Sequence, residues 1–235
     1  MTDGPDLRAV ADVPGAFSEV IQDAYRRRTG SRFTMVLSGG PTARACYERL
    51  ASLAVGSIDW SLVDIYMGDE RLVAPDDPDA NQRLVREALI ERVGGVASFH
   101  PMPTDGDPIS CCARYAREVS AVLEGSGFDV IHLGMGPDGH TASLFPGTPC
   151  LDAGPDELVV ATTDPSARNP HPRLSLTLPV INRARMAVFT VAGATKRDAV
   201  ARLRSGADLP AARVHAADVR WLVDAEALGL AGAVS

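Results

Sequence analysis

Apolar, β-rich runs alternate with segments of helical period along this chain, and this alternation constrains the fold more than any other feature of the sequence. The predicted strands are residues 33–37, 62–67, 128–133, 158–162, 174–178, 186–191 and 219–223. The predicted helices are residues 16–28, 42–53, 80–93, 110–123 and 196–203. Such alternation is typical of an α/β fold with a mainly parallel sheet and helices on both faces. Ligands of these folds bind where loops leave the carboxyl ends of the strands.

Length and charge limit the domain organisation and the class of partner. The chain has 235 residues, 46% of them hydrophobic, and no linker-like tract divides it, so we predict a single domain over residues 1–235. Its net charge is −7, and the 23 Lys and Arg residues are spread along the chain, which argues against a nucleic-acid partner. No run approaches the roughly 20 apolar residues of a membrane span, and the polar start does not resemble a signal peptide. We therefore expect a cytoplasmic protein without a membrane partner, either a monomer or a homodimer.

The cysteines and histidines lack the spacing of a metal site. The cysteines are Cys46, Cys111, Cys112 and Cys150, and no two of them form a CxxC pair. The five histidines are scattered and show neither HxxxH nor HxH spacing. We interpret the cysteines as reduced and predict no metal, although a site assembled from distant segments stays open.

A glycine-rich loop follows the predicted strand 128–133 and is the most site-like segment of the sequence. Residues 133–146 read LGMGPDGHTASLFP, and the loop places His140 among Gly134, Gly136 and Gly139. Glycines let the backbone turn sharply and approach a ligand closely. The alternative is an ordinary turn with an incidental surface histidine.

A second glycine turn, SGGPT at residues 38–42, is similar to a phosphate-binding turn. Gly39 and Gly40 expose amides, and Thr42 can cap a helix whose N-terminal dipole favours an anion. The Walker pattern GxxxxGK[ST] is absent, so ATP is not implied. A plain glycine turn remains the alternative here.

Charged residues lie at the ends of three further predicted strands: Asp69, Glu70 and Arg71 follow 62–67, Lys196 follows 186–191, and Arg173 immediately precedes 174–178. Asp69, Glu70 and Arg71 place carboxylates and a guanidinium at a strand end, where arginine can bind phosphate bidentately. Side chains alternate along extended backbone, so we expect only some of the three to face a site. Lys196 can neutralise a phosphate, and the prolines before Arg173 hold that segment extended. Surface ion pairs and an exposed lysine are the alternatives.

Six segments resemble, in chain order, the motifs of one enzyme family. They are LSGG, GDER, GMGPDGHTASLFPG, PHPRLSLTLP, GATK and WLVDAEAL. Together they are similar to the glucosamine-6-phosphate isomerase/6-phosphogluconolactonase family, and to its lactonases in particular, over nearly the whole chain. The resemblance implies a modified doubly wound, Rossmann-like sheet, as in the glucosamine-6-phosphate deaminase, ribose-5-phosphate isomerase and CoA-transferase-like fold. It also implies hydrolysis of 6-phospho-D-glucono-1,5-lactone in the oxidative pentose phosphate pathway, without a metal or organic cofactor.

The resemblance also implies roles for individual residues. The lactone lies beside His140, which accepts a proton from the attacking water, and a histidine that is largely neutral near pH 7 suits this role. Asp138 or Asp69 orients the imidazole, and the sequence does not choose between them. Ser143 lacks the GxSxG turn of a nucleophile, so we interpret it as a packing or capping residue. The predicted substrate- and phosphate-binding residues are Ser38, Gly39, Gly40, Thr42, Arg71, Gly136, Arg173 and Lys196.

The sequence departs from the family pattern in places, and two other functions stay open. Pro41 stands where relatives usually carry Ser or Thr, which removes one backbone donor. Residues 77–84 lack the usual Ser-Asn-Tyr-like stretch, although Asn81 retains an asparagine. A glucosamine-6-phosphate deaminase is one alternative, but such enzymes carry glutamate where this chain has Phe145. The other is a non-catalytic sugar-phosphate sensor, which normally adds a DNA-binding module.

Overall fold

The described part of the chain contains ten short strands and six α-helices. The computed structural model describes residues 5–125, 127–168 and 170–230. The strands are β1 (Leu7–Ala9), β2 (Phe33–Leu37), β3 (Val63–Met67), β4 (Asp69–Arg71), β5 (Ser98–His100), β6 (Val130–Leu133), β7 (Val159–Thr162), β8 (Arg173–Leu176), β9 (Met186–Val191) and β10 (Asp218–Val223). The helices are α1 (Val13–Arg26), α2 (Pro41–Leu53), α3 (Asn81–Val85), α4 (Pro108–Glu124), α5 (Leu178–Ile181) and α6 (Arg197–Arg204). A π-helical segment, Arg86–Ile90, continues α3.

Seven strands form one parallel sheet in the order β1-β10-β9-β6-β2-β3-β5. This confirms the predicted α/β fold with a mainly parallel sheet. The predicted strands at 158–162 and 174–178 lie elsewhere, because β7 and β8 pair antiparallel with β4 in a separate three-stranded sheet. One hydrophobic core includes residues of both sheets, for example Val36, Val160 and Leu174. The division of the chain into a single domain stays a prediction.

Local signals in the sequence explain where the longer helices begin. Asp12 accepts a hydrogen bond from the amide of Gly15 at 3.0 Å, and Asp107 accepts one from the amide of Ser110 at 3.0 Å. Proline occupies the first turn of α1, α2 and α4, where its missing N–H costs nothing.

No helix in the described ranges is both long and apolar enough to cross a membrane. The four cysteines are free.

The start of α2 differs from the prediction that Thr42 caps it. The helix begins at Pro41, and its N-cap is Gly40, which has φ 102° and offers no side chain. Proline fits the first helical position because its ring fixes φ near the helical value. Thr42 therefore lies inside the first turn, and its predicted capping role is wrong.

Two tyrosine hydroxyls fix the ends of β2 and β3, and we call these contacts the tyrosine clamps. Tyr47 on α2 accepts a hydrogen bond from the amide of Ser38 and donates one to its carbonyl, both at 2.9 Å. Tyr115 on α4 does the same to Met67, at 2.8 and 3.0 Å. The Tyr47 clamp thus holds Ser38, the residue directly after β2, and the Tyr115 clamp holds Met67, the last residue of β3.

Candidate active site

The loops after β2, β6 and β9 and the small sheet enclose a cleft of about 570 Å³. The cleft lies at the carboxyl ends of the parallel strands, where ligands of such sheets bind. It collects every residue that the sequence analysis assigned to the site: Ser38, Gly39, Gly40, Thr42, Asp69, Arg71, Gly136, Asp138, His140, Arg173 and Lys196. Sequence reasoning missed Thr190, Thr195, Ala142 and Asp164, which also line it.

His140 and Asp138 form a hydrogen-bonded pair at the centre of the residue 133–146 loop. The Nδ1 atom of His140 lies 2.6 Å from Oδ1 of Asp138, which also accepts the backbone amide of His140 at 3.1 Å. Burial raises the pKa of Asp138, but the hydrogen bond and charge of His140 outweigh it, so the pKa lies below its usual value. Of the two carboxylates that the sequence left open, Asp138 is the one that contacts the imidazole.

Gly136 makes room for this pair. A Cβ atom on Gly136 would lie 2.2 Å from Nδ1 and Cε1 of His140 and 2.6 Å from Oδ1 of Asp138. The amide of Gly136 also donates to the carbonyl of His140 at 2.8 Å, which closes the turn. A side chain of any size at this position therefore displaces the imidazole or the carboxylate.

The ring of Phe145 packs against the imidazole. Its ring is buried, and its centroid lies 4.7 Å from that of His140. The guanidinium carbon of Arg173 lies 6.0 Å from the same phenyl ring. The position at which deaminases carry a glutamate thus holds no ionisable group beside His140.

Asp69 belongs to a different network from that of the imidazole. Its Oδ2 accepts a hydrogen bond from Ser143 Oγ at 2.6 Å, and Nη1 of Arg173 lies 3.5 Å from that oxygen and 3.3 Å from Ser143 Oγ. Asn81 donates to the backbone carbonyl of Asp69 at 3.0 Å. Of the two alternatives for orienting the imidazole, Asp69 is the one whose carboxylate bonds to Ser143 and Arg173 within the described ranges, while Asp138 contacts His140. Ser143 is fully buried, which suits its interpretation as a packing or capping residue, and its hydroxyl also joins this network.

Burial and nearby carboxylates also shift the pKa values of two cations in the cleft, Arg173 and Lys196. Burial lowers the pKa of Arg173 below its usual value, and nearby Asp69 offsets only part of that change. Burial likewise lowers the pKa of Lys196, and Asp138 opposes that change. Both cations therefore sit in a partly dehydrated cleft, where attraction to an anion is stronger than in water.

The short strand β4 shows the alternation expected of extended backbone. Asp69 and Arg71 line the cleft, whereas Glu70 points away from it and is fully buried. The Glu70 carboxylate accepts hydrogen bonds from the backbone amides of Arg71, Asn81 and Gln82 at 2.8, 2.7 and 2.7 Å. Burial outweighs these donors and raises the pKa of Glu70 to about 7. Glu70 thereby ties β4 to the start of α3.

The SGG turn, residues 38–40, packs closely against Asn81. A Cβ atom on Gly39 would lie 1.8 Å from Oδ1 of Asn81, so only glycine permits this contact. Ser38 Oγ, Asn81 Oδ1 and Arg71 Nε are buried and have no hydrogen-bond partner within the described ranges. Buried polar atoms normally find partners. Three such atoms in one cleft indicate a polar ligand.

The proline-rich segment before Arg173 includes Arg168 and Asn169. Asn169, in the proline-rich segment before Arg173, lies outside the described residues. Arg168 lines the cleft but is exposed. The described residues contain no cluster of three or more His, Cys, Asp or Glu side chains that could hold a metal ion.

Comparison with known proteins shows the family of the chain. The family model for glucosamine-6-phosphate isomerases/6-phosphogluconolactonase matches residues 7–223. The chain belongs to this family. It is 43% identical to the 6-phosphogluconolactonase of Synechocystis sp. over 174 residues, which are 71% of this chain and 69% of that protein.

Solved structures of related proteins have the same fold as this chain. A 6-phosphogluconolactonase from Thermotoga maritima superposes with a TM-score of 0.81 at 29% identity and covers 93% of this chain and 98% of its own. A monomeric glucosamine-6-phosphate deaminase superposes with a TM-score of 0.79 at 20% identity, covering 93% of this chain and 95% of its own. The second match shows the fold alone. Together they confirm the predicted fold.

Proposed function

We propose that this family member hydrolyses 6-phospho-D-glucono-1,5-lactone to 6-phospho-D-gluconate, with a cytoplasmic location as the sequence predicts. The observation that carries the proposal is the Asp138–His140 pair, which faces a cleft that also holds Arg71, Arg173 and Lys196. The pair supplies a base, and the cations suit a phosphorylated substrate. The names of the relatives support the same substrate.

The hydrogen bond to Asp138 sets the role of the imidazole. A carboxylate only accepts hydrogen bonds, so Nδ1 of His140 carries the proton that is shared with Asp138 at 2.6 Å. A neutral imidazole then has its lone pair on Nε2. We assign Nε2 as the general base for water, a role that is typically worth about 100- to 10,000-fold in rate.

The proposed reaction needs no covalent intermediate. Water attacks C1 of the lactone while Nε2 of His140 takes its proton, which gives a tetrahedral oxyanion and an imidazolium. The C1–O5 bond then breaks, and O5 takes the proton back from the imidazolium. Asp138, whose lowered pKa keeps it ionised, stabilises the imidazolium between these steps.

The SGG turn, Arg71 and Lys196 form the proposed phosphate end of the cleft. Ser38 Oγ and Arg71 Nε are buried donors without partners among the described residues, and Lys196 adds a positive charge. Arg173 is already paired with Asp69 and Ser143. We therefore assign Arg173 a dual role, as a phosphate ligand and as the support of that network.

A lactonase assay with subtraction of the spontaneous hydrolysis tests the proposal. We expect wild-type protein to accelerate ring opening and the His140→Ala variant to lose most of that acceleration. Release of ammonia from glucosamine 6-phosphate without lactone hydrolysis would support the deaminase alternative. Binding of 6-phosphogluconate without any turnover would support the sensor alternative. Phe145 beside His140 favours the lactonase over the deaminase.

A further inference from the structure

A chain of buried polar side chains lies behind the cleft and takes no part in the scheme above. Oη of Tyr47 lies 2.8 Å from Nδ1 of His132, and Nε2 of His132 lies 2.8 Å from Oγ1 of Thr190. The imidazole and the tyrosine are fully buried. This hydrogen-bonded chain of side chains runs from α2 across β6 to β9 and ends at Thr190, which lines the cleft.

The other end of this chain is the SGG turn. Through its tyrosine clamp, Tyr47 holds both the amide and the carbonyl of Ser38, each at 2.9 Å. Ser38 is the first residue of the turn, and its hydroxyl is buried in the cleft wall without a partner among the described residues. The backbone of the turn is thus tied to His132 through one phenol oxygen.

A phenol has one proton, so the order of the protons along this chain is fixed. Tyr47 donates that proton to the Ser38 carbonyl, for which Tyr47 is the donor recorded among the described residues. Nδ1 of His132 must then carry a proton and donate it to Tyr47 Oη, and Nε2 accepts the proton of Thr190. The reverse order would leave the buried Ser38 carbonyl without its donor, which is costly.

Burial keeps the imidazole of His132 uncharged. Burial lowers the pKa of His132 to about 3, so the ring stays neutral at ordinary pH. Cys46 lies beside Thr190, and burial raises its pKa to about 12 despite the Thr190 hydroxyl, so it stays a thiol. Phe17 packs against His132 with the ring centroids 4.4 Å apart and adds no charge.

We infer that Tyr47 and His132 are positioning residues for anion binding. The Nδ1–H form of His132 directs the Tyr47 hydroxyl onto Ser38, and this holds the SGG turn ready for the anionic end of a ligand. The identity of that anion as a phosphate ester rests on the proposed function. The Asp138–His140 pair sits on a different loop, so loss of this support raises KM and leaves kcat nearly unchanged.

Tyr47→Phe tests the inference with the smallest change, because it removes only the hydroxyl. We expect inorganic phosphate and 6-phosphogluconate to bind about tenfold more weakly, as the loss of one to two hydrogen bonds implies. KM rises by the same factor, and kcat stays within about twofold. Tyr25→Phe is the matched control, since the Tyr25 hydroxyl accepts the amide of Asp59 at 3.1 Å away from the cleft. Equal phosphate binding by wild type and both variants would overturn the inference.

His132 offers two independent measurements. Long-range ¹H–¹⁵N correlation spectra of the wild type report the protonated ring nitrogen, and we expect Nδ1, with the signals assigned by their loss in His132→Leu. An amide nitrogen of asparagine reaches the position of Nδ1, so His132→Asn retains phosphate binding within about threefold, whereas His132→Leu loses about tenfold or more. An Nε2–H form, or equal binding by the two variants, would contradict the inference.

Thermal unfolding of each variant separates loss of the fold from loss of positioning. If His132→Leu does not fold, the His132 signals are assigned by their loss in His132→Asn, and the wild-type spectrum and the Tyr47→Phe comparison decide the question. The wild-type lactonase assay runs in parallel. Absence of turnover would refute the proposed function, whereas the phosphate affinities and the ring-nitrogen spectrum would still test the positioning role.

Discussion

Replacement of Gly136 by alanine tests the arrangement of the Asp138–His140 pair with a single methyl group. The Cβ atom of the new residue would lie 2.2 Å from Nδ1 and Cε1 of His140 and 2.6 Å from Oδ1 of Asp138. Gly136 does not have a positive φ, so alanine is compatible with the backbone. The change thus acts on the positions of these two side chains and not on the conformation of the turn.

The size of the effect follows from these distances. Non-bonded atoms prefer separations of about 3.5 Å, so the imidazole must retreat by about 1 Å or more from a Cβ atom 2.2 Å away. A misplacement of about 1 Å can reduce a rate about 100-fold. That corresponds to about 2.7 kcal/mol of lost transition-state stabilisation. Stability changes little, because alanine also restricts the unfolded chain.

Steady-state lactonase kinetics and thermal unfolding of the same preparations measure both effects. We expect kcat/KM of Gly136→Ala to fall about 100-fold with a nearly unchanged Tm. Gly154→Ala is the matched control, since nothing lies within 4 Å of a Cβ at this exposed glycine, which also lacks a positive φ. A folded Gly136→Ala protein with wild-type kcat would refute the reasoning that the pair must stay in place.

Three further substitutions address the base, its partner and the buried carboxylate. His140→Ala lowers kcat about 100- to 10,000-fold in the lactonase assay, and its fold, followed by circular dichroism, stays intact. Asp138→Asn lowers kcat about 100-fold or more because the imidazolium loses its charged partner, whereas phosphate affinity by calorimetry changes little; an unchanged kcat would remove Asp138 from the mechanism. Burial raises the pKa of Glu70 from 4.5 to about 7, so the folded state binds the proton more tightly than the unfolded state. The free energy of unfolding therefore falls by up to about 3 kcal/mol as pH rises from 4.5 to 7, and denaturant titrations show a flatter profile in Glu70→Gln. Equal slopes in both proteins would contradict the buried carboxylate as the cause.

Periodicity and glycine turns predicted the main sheet and the loops at its carboxyl edge, but not the second sheet. Residues 158–162 and 174–178 have the same apolar composition as the parallel strands, and composition does not say which neighbour a strand pairs with. The strands β1, β4 and β5 have only three residues each, too few for a periodic signal. The alternation along β4 followed directly from extended backbone, as the opposite directions of Glu70 and Arg71 show.

In the candidate site, too, contacts between residues close in sequence could be predicted, whereas contacts between distant residues could not. Asp138 lies two residues from His140, so a contact between them was open to prediction. The partners of Asp69 are distant in sequence: Ser143 is separated from it by 74 positions and Arg173 by 104. Only the folded chain brings them together. For that reason the sequence could not exclude Asp69 as the partner of the imidazole or recognise the hydrogen bond of Ser143.

The tyrosine clamps also bear on how this scaffold can change. Each hydroxyl forms hydrogen bonds with both the backbone amide and the backbone carbonyl of one residue, Ser38 or Met67, where a strand meets a turn. The boundary residues stay fixed by groups that come from helices, whatever follows them in the chain. The turns can therefore be treated as exchangeable parts on a constant frame, and a redesigned ligand preference is best sought by replacing turn residues while Tyr47 and Tyr115 are kept.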